Sequence, residues 1–372
     1  STGLRHRNAS IWWTHARSRQ LVESLDEFVE LSALTGRMGR LENQAAKAKI
    51  ELAVAREQVK TLTLERDDLA VRVDTYELAV GQQPPKWLTP KQTKRSAATV
   101  VAMLSDTHFD EVIKLEENGL NKYDRRIAEL RLQRFAEKVV ELSRDYVAGV
   151  EIEGLVLVLG GDLVSGTIHD LAQTNETPYA PVTVAHWSAQ VAGCIDFLAE
   201  HFPKVHVVSV VGNHGRLSFK PRTAGRARDS WDWLLVHSAQ QIITADNVTW
   251  QIPESHDCLF NVYSTRILLT HGDSVTGGSG VGGIWPPIKR LQYRLQINKP
   301  HDLLIMGHWH QLVMAASAGL VVNGSLKGFD SYAAIQGFAA EVPQQAFMVV
   351  TPKYGVSIQA PIHVLDRKKE KW

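Results

Sequence analysis

The chain has little cysteine, little net charge and no long apolar run. Two cysteines in 372 residues, Cys194 and Cys258, each inside an apolar stretch, are too few for a disulfide framework and form no paired-thiol zinc motif. They read as buried core thiols of a chain kept in a reducing cytoplasm. The 41 basic and 40 acidic residues leave a formal charge of +1, so the molecule is not a polyelectrolyte. Any contact with nucleic acid must come from local clusters. No apolar stretch approaches a membrane span in length. The opening Ser1-Thr2-Gly3-Leu4-Arg5 has no signal-peptide hydrophobic region, which disfavours secretion, and its lack of Met leaves room for residues upstream. The glycine-rich segment from Gly277 to Gly283 is not a Walker loop, because no Gly-Lys-Ser/Thr closes it. What remains is ordinary globular composition, 44% hydrophobic and 22% charged, in a chain long enough to bury a large core.

The sequence divides into five segments. Residues 1–39 begin basic and aromatic (Arg5, His6, Arg7, Trp12, Trp13, Arg17, Arg19), then take helix spacing at Leu21, Leu25, Phe28 and Val29. Such a basic start reads first as a solvated face, with the tail of a DNA-reading helix over Thr2 to Ala9 as the alternative. Residues 40–81 carry a heptad pattern that begins slightly earlier. Leu34, Leu41, Ala48, Ala55, Leu62, Leu69 and Tyr76 share one seam position. Met38, Ala45, Leu52, Val59, Arg66, Val73 and Val80 share the other, and only Arg66 is polar. Spacing of this kind over six heptads predicts a coiled coil, weakened at its first turn by Gly36 and Gly39 and ended by Gly81 with Pro84 and Pro85. No turn signal lets the helix fold back, so the expected partner is another copy of the chain; a single helix lying on the catalytic domain is the alternative. Residues 82–98 read as a linker rich in proline and lysine. Residues 99–364 alternate strands and helices. Residues 365–372 read as a charged tail.

Within 99–364 the apolar runs Val100–Leu104, Leu155–Leu159 and Val205–Val211 predict buried strands, with helices marked by Ile127, Phe135 and Val139 and by Trp187, Val191 and Ile195. Shorter strands are expected around Trp250, Val262, Leu268, Leu304, Val313, Val321 and Met348. This order predicts a two-sheet α/β sandwich preceded by a helical coiled-coil extension. Polar clusters follow the strands: Asp106-Thr107-His108, Gly161-Asp162, Gly212-Asn213-His214, His271-Gly272 and Gly307-His308-Trp309-His310. Open α/β sheets bind ligands at the carboxyl ends of their strands, so the five clusters can converge. Alternate residues in Asp106-x-His108 and His308-x-His310 point to one side if the strand continues. Carboxylate, imidazole and one amide oxygen together suit manganese, iron or zinc.

These five motifs, in this order and each after an expected strand, resemble calcineurin-like metallophosphoesterases over roughly Thr99 to Pro352. The resemblance implies two divalent ions, manganese first, with iron, zinc, nickel or magnesium as alternatives. It implies Asp106, His108, Asp162 and His310 as ligands of one ion, and Asp162, Asn213, His271 and His308 as ligands of the other, Asp162 bridging. It implies His214 as the catalytic histidine beside the scissile phosphate, working with Asp162. The Gly161–Asp170 and Asn323–Gly328 stretches are similar to phage-encoded, DNA-repair-exonuclease-like members, which implies a cytoplasmic location in a bacterium or phage-infected host.

The phosphoprotein-phosphatase branch has a Gly-Asp-x-Val-Asp-Arg-Gly stretch; here it reads Gly161-Asp162-Leu163-Val164-Ser165-Gly166, without the phosphate-binding arginine. After His214 come Arg216, Lys220, Arg222, Arg226 and Arg228, with no acid before Asp229. Five cations there predict a track for a nucleic-acid backbone, joined by Lys289, Arg290 and Arg294. The alternative is a solvated loop, or arginines paired with distant acids. The expectation is a metal-dependent phosphodiesterase, a nuclease acting on DNA and oligomeric through residues 40–81. Its rivals are a small-nucleotide phosphodiesterase or phosphatase, and an oligomeric nucleic-acid-binding scaffold with weak catalysis.

Overall fold

The computed structural model describes residues 25–80, 96–169, 173–222, 224–275, 277 and 283–371. The basic segment before residue 25, most of the linker (81–95) and most of the glycine-rich stretch from Gly277 to Gly283 therefore lie outside the described residues. The chain separates into two compact units, Ser1–Thr75 and Tyr76–Trp372. In the first, helix α1 (Leu25–Val80) runs unbroken for 56 residues, with Gly36 and Gly39 inside it rather than before it. A glycine in a helix interior costs about 1 kcal/mol relative to alanine. Two such costs are borne by a long run of Leu, Glu, Lys, Arg and Ala, good helix formers all. Among the described residues, no helix is long and apolar enough to cross a membrane.

The second unit holds two sheets. Strand β1 (Ser96–Leu104) lies between β2 (Val150–Leu159), parallel, and β10 (Gln344–Thr351), antiparallel. Strands β3 (Val205–Ser209) and β4 (Val248–Gln251) extend the parallel side, and β11 (Gly355–His363) closes the other, giving the order β11-β10-β1-β2-β3-β4. The second sheet has the order β5-β6-β7-β9-β8, from β5 (Asp257–Val262), β6 (Thr265–Thr270), β7 (Leu303–Met306), β8 (Val313–Ala315) and β9 (Leu320–Val322). Strands β6, β7 and β9 are parallel.

The period-two alternation of strand side chains sorts the apolar residues into layers. Along β1, Val101 and Met103 face the second sheet and pack with Val156, Val158, Ile267, Leu269, Ile305 and Val321. The intervening Val100, Ala102 and Leu104 face the other way, onto helices α2 (Arg125–Glu141) and α3 (Ala180–His201), where they meet Phe135, Trp187 and Ile195. The outer face of the second sheet, Leu268, Leu304 and Met306, is covered by Ile288 and Leu291 of α5 (Trp285–Asn298). Helix α4 (Trp231–Ile242) packs beside α3. Strands buried on both faces need continuous apolar sequence, which is why β1, β2, β3 and β7 carry it.

The charged C-terminal segment exposes Arg367, Lys368 and Lys369 but buries one acid. Glu370, in the short helix Arg367–Glu370, is 1% exposed and meets the fully buried Arg131 of α2 at 3.0 Å. Arg131 also donates to the carbonyls of Leu326 and Lys327. Removing one partner of a buried ion pair leaves the other charge stranded, at about 3–5 kcal/mol. Glu370→Ala is therefore expected to lower unfolding free energy by about 3 kcal/mol in a denaturant titration, and Arg131→Met in the same chain to recover part of it. A loss below 1 kcal/mol would mean that Arg131 finds water when Glu370 is gone.

Candidate metal centre

Five loops at the carboxyl ends of β1, β2, β3, β6 and β7 bring the acids and histidines together. Ligand atoms of Asp106, His108 and His310 lie within 4.8 Å of one another, as do those of His108, Asp162 and His214, and those of Asp162, His271 and His308. Strand alternation does not achieve this. β1 ends at Leu104 and β7 at Met306, so the Asp-x-His and His-x-His pairs lie beyond the ladder. The backbone turns left-handed instead: φ is +52° at Asp106, +44° at His108, +48° at Asp162, +72° at His308 and +53° at His310. Among the described residues eight non-glycine positions have positive φ, and these five are among them. Such backbone is costly for a residue with a Cβ, and it persists where surrounding contacts impose it.

Glycine makes the close approach. A Cβ on Gly212 would stand 2.0 Å from Asp162 Oδ1, and one on Gly307 2.4 Å from Asp106 Oδ2. The two carboxylates thus lie against bare backbone from the next loop.

Asp162 joins the clusters. Its Oδ1 accepts the backbone N–H of His214 at 2.7 Å, and its Oδ2 lies 2.9 Å from Nε2 of His271. Nδ1 of His271 donates to the Gly160 carbonyl at 2.9 Å, which leaves Nε2 as the atom facing the centre. Burial alone disfavours a charged His271, but the adjacent Asp162 overrides it and pushes this imidazole up to about 10. Burial would likewise raise Asp162, yet His271 and His214 hold its carboxyl well below the usual range. Asp106 is lowered against its own burial by His310, whose Nε2 stands 3.4 Å away, and its Oδ1 accepts the His308 N–H at 2.9 Å. Burial depresses His108 and His214 well below an ordinary histidine and brings His308 down to about 4. His108 and His214 meet edge to face at 4.4 Å.

Among the described residues, both ring nitrogens of His108, Oδ1 of Asn213 and Nδ1 of His214 are buried without a hydrogen-bond partner. Buried polar atoms are normally paired, and lone pairs left over beside two buried carboxylates are what a divalent cation would take up. The donor set of carboxylate, imidazole and amide oxygen fits such an ion.

Further residues hold this arrangement: His169 and Lys327 fall in the Gly161–Asp170 and Asn323–Gly328 stretches, and Asp110, Glu111 and Asp232 belong to none of the five motifs. Buried Asp232, at the start of α4, accepts the N–H groups of Leu163 and Val164 at 3.1 Å and of Gly212 at 2.9 Å. It thereby ties the Asp162 loop to the Asn213 loop. Burial and the nearby Asp162 raise its carboxyl to about 6. Asp110 (φ +76°) takes Arg125, Thr183 and Trp187 as donors, anchoring the His108 loop to α2 and α3. Lys327, 1% exposed, sits between Glu111 at 2.8 Å and Asp330 at 2.7 Å, and Glu111 Oε2 lies 3.2 Å from His108 Nδ1 without hydrogen-bond geometry. His169 stacks at a tilt on His214, ring centroids 4.2 Å apart. The Ser230-x-Asp232 cap ahead of α4 was the only local sign of Asp232.

The cationic run after His214 is largely compensated. Arg226 pairs with Asp273 at 2.6 Å, Arg222 with Asp229 at 3.6 Å, and Arg228 with Glu254. Arg216 donates to the carbonyls of Asn213, Ser218 and Phe219, and Lys220 is exposed. Asp229 directly follows the run, whereas Glu254 and Asp273 come from beyond it, where sequence proximity gives no sign of them.

No protein-family model and no curated protein matches the chain. Among solved structures it is similar to a conserved uncharacterized protein of Streptococcus pneumoniae described as a predicted phosphoesterase, at 12% identity and a TM-score of 0.27, over 71% of this chain and 97% of that one. A single mutant of Vps29 from Entamoeba histolytica aligns at 15% identity and a TM-score of 0.30, over 70% and 97%. A hypothetical protein of Pyrococcus horikoshii aligns at 16% and 0.38, over 73% and 91%.

Two outcomes are expected from this geometry. Gly212→Ala forces the Asp162 carboxylate aside and strips most of the divalent metal from the purified protein, read by elemental analysis, while circular dichroism stays unchanged. Retention of full metal content would mean the loop absorbs a methyl group at no cost. Because His271 holds its proton below about pH 10 and ligates only when neutral, uptake of a divalent ion at pH 7.5 should release about one proton. Calorimetry in two buffers of different ionisation enthalpy measures this, and a buffer-independent heat would rule it out.

Proposed function

We propose that this chain is a dinuclear-metal phosphodiesterase of the calcineurin-like superfamily. The observation that carries the reading is the set of strained, left-handed ligand positions closing around one bridging carboxylate. Strain imposed on several polar residues at one point is the mark of a functional site. Asp106, His108 and His310 would hold one ion, and Asn213, His271 and His308 the other, with Asp162 between them. Manganese is the ion proposed first for this mixed oxygen and nitrogen set. When bound, such a pair supplies Lewis-acid stabilisation of phosphate oxygens and acidifies a water molecule.

The chain's own part is orientation and proton transfer. His214 is held by its backbone on Asp162 and by His108 and His169 on its faces, so its ring stands at the edge of the cluster. There it donates a proton to the oxygen of the departing group, or holds a phosphate oxygen by hydrogen bond. Burial holds His214 well below an ordinary histidine; an anionic phosphate beside it would favour the protonated form.

For the substrate, DNA remains the proposal, resting on the resemblance of Gly161–Asp170 and Asn323–Gly328 to phage-encoded members of the superfamily. It is supported by Arg216, whose donors go to carbonyls and not to a carboxylate, and by the exposed Arg290 and Arg294 on α5. The ion pairs of Arg222, Arg226 and Arg228 favour the second reading, a small nucleotide diester, because a paired guanidinium has less to offer a phosphate.

Turnover with manganese on bis(p-nitrophenyl) phosphate, single- and double-stranded DNA and cyclic dinucleotides separates these. His214→Asn is expected to slow turnover roughly 10²–10⁴-fold with metal content intact. Asp162→Ala should lose both. DNA cleavage abolished by Asp162→Ala establishes the nuclease; activity confined to small diesters establishes the second reading; no turnover on any substrate with full metal content overturns both.

A further inference from the structure

The side chains described on α1 leave an apolar seam open along one edge. Leu34, Leu41, Leu62 and Leu69 are 54%, 63%, 62% and 58% exposed, and Met38, Leu52 and Val59 are equally bare. Other exposed apolar residues, Ile50, Val54 and Leu64, make no second stripe, because Glu57 and Thr61 interrupt them. In heptad terms the leucine positions are d and the Met38 series is a. The residues that flank such a seam then decide what covers it.

Just before each a position stands a g residue, and just after each d an e residue. In a parallel, in-register pair, g of one chain faces e of the next heptad on the other. Here that sets Arg37 against Glu42 of the second copy and Glu51 against Arg56 of the second copy, each twice by symmetry. The remaining contacts of this kind, Gln44 with Lys49 and Gln58 with Thr63, oppose no like charges. Antiparallel pairs match e with e and g with g instead. The two registers that keep most of the seam apposed then set Lys49 against Arg56, or Lys49 against Lys49 and Glu51 against Glu51, the second of these also bringing Glu42 to Arg56 and Arg37 to Glu65. Like charges across a coiled coil select against a partner orientation.

The one polar seam residue fits the same arrangement. Arg66 lies at an a position, where a long cation reaches out past the seam; in the single chain its guanidinium bonds Asp67 at 2.6 Å. A parallel partner places Glu65 of the second copy beside it. A lone polar a residue specifies register and oligomer state, and leucine at the d positions Leu34, Leu41, Leu62 and Leu69 belongs to the two-stranded pattern. We propose that residues 34–69 of α1 form a parallel, in-register, two-stranded coiled coil with a second copy of this chain. Charge complementarity names the occupant of the seam, and the inference stands apart from the chemistry of the metal centre.

Both native thiols are buried, so an introduced cysteine can be read cleanly in the full chain. Leu41→Cys and Leu69→Cys, each alone, should form an inter-chain disulfide on mild oxidation, and light scattering of the reduced protein should give the mass of two chains. An antiparallel coil would leave both single variants uncrosslinked; that result, a one-chain mass or a three-chain mass overturns the proposal. Glu51→Arg should raise the dissociation constant roughly fivefold, and Glu51→Arg with Arg56→Glu should restore it, since two flanking pairs are reversed and then rebuilt. Equal weakening by single and double variants would speak for a seam whose flanks never meet.

Discussion

Everything in the unit Tyr76–Trp372 turns on placing two carboxylates, Asp106 and Asp162, where water does not reach them. Each is about 1% exposed or less. A buried anion needs compensation, and here it comes from all sides: imidazoles from both sheets, backbone N–H groups of His214 and His308, and glycines that let those groups come close. The sheets are joined at this end by polar contacts, and over most of their facing surfaces by apolar packing. His271 at the end of β6 reaches Gly160 at the end of β2, and Asn323 after β9 reaches Ser105 at the end of β1.

Much of this was legible in the sequence because it is local. Continuous apolar runs mark β1, β2 and β3, and polar residues directly after them mark the candidate ligands. What was not legible depends on long-range partners or on backbone. Alternation in Asp106-x-His108 and His308-x-His310 suggested that a continuing strand aims the side chains; left-handed turns aim them instead, and no residue type there announces it. Asp232 and Lys327 lie far along the chain from the loops they support. The cationic run near His214 reads as a backbone track, with pairing to distant acids as the alternative; two of its acids, Glu254 and Asp273, come from other segments, so the sequence does not name them.

The two units rest on different physics. The helix Leu25–Val80 is held by backbone hydrogen bonds and exposes its apolar residues, so its stability in isolation is limited by the propensity of its own sequence. The unit Tyr76–Trp372 buries its large side chains between layers and keeps even its ionic residues inside, as Arg131 with Glu370 and Lys327 with Glu111. The first is open to association and the second is closed on itself.

The left-handed residues have one more consequence, for how this protein tolerates change. Each of the five costs about 1 kcal/mol or more that glycine would not pay. A variant that swaps His108, His308 or His310 for glycine relaxes the backbone while removing a donor. Relief of backbone strain and the greater unfolded-state freedom of glycine oppose one another, so the stability of such variants reports how firmly the surrounding contacts impose the left-handed turns.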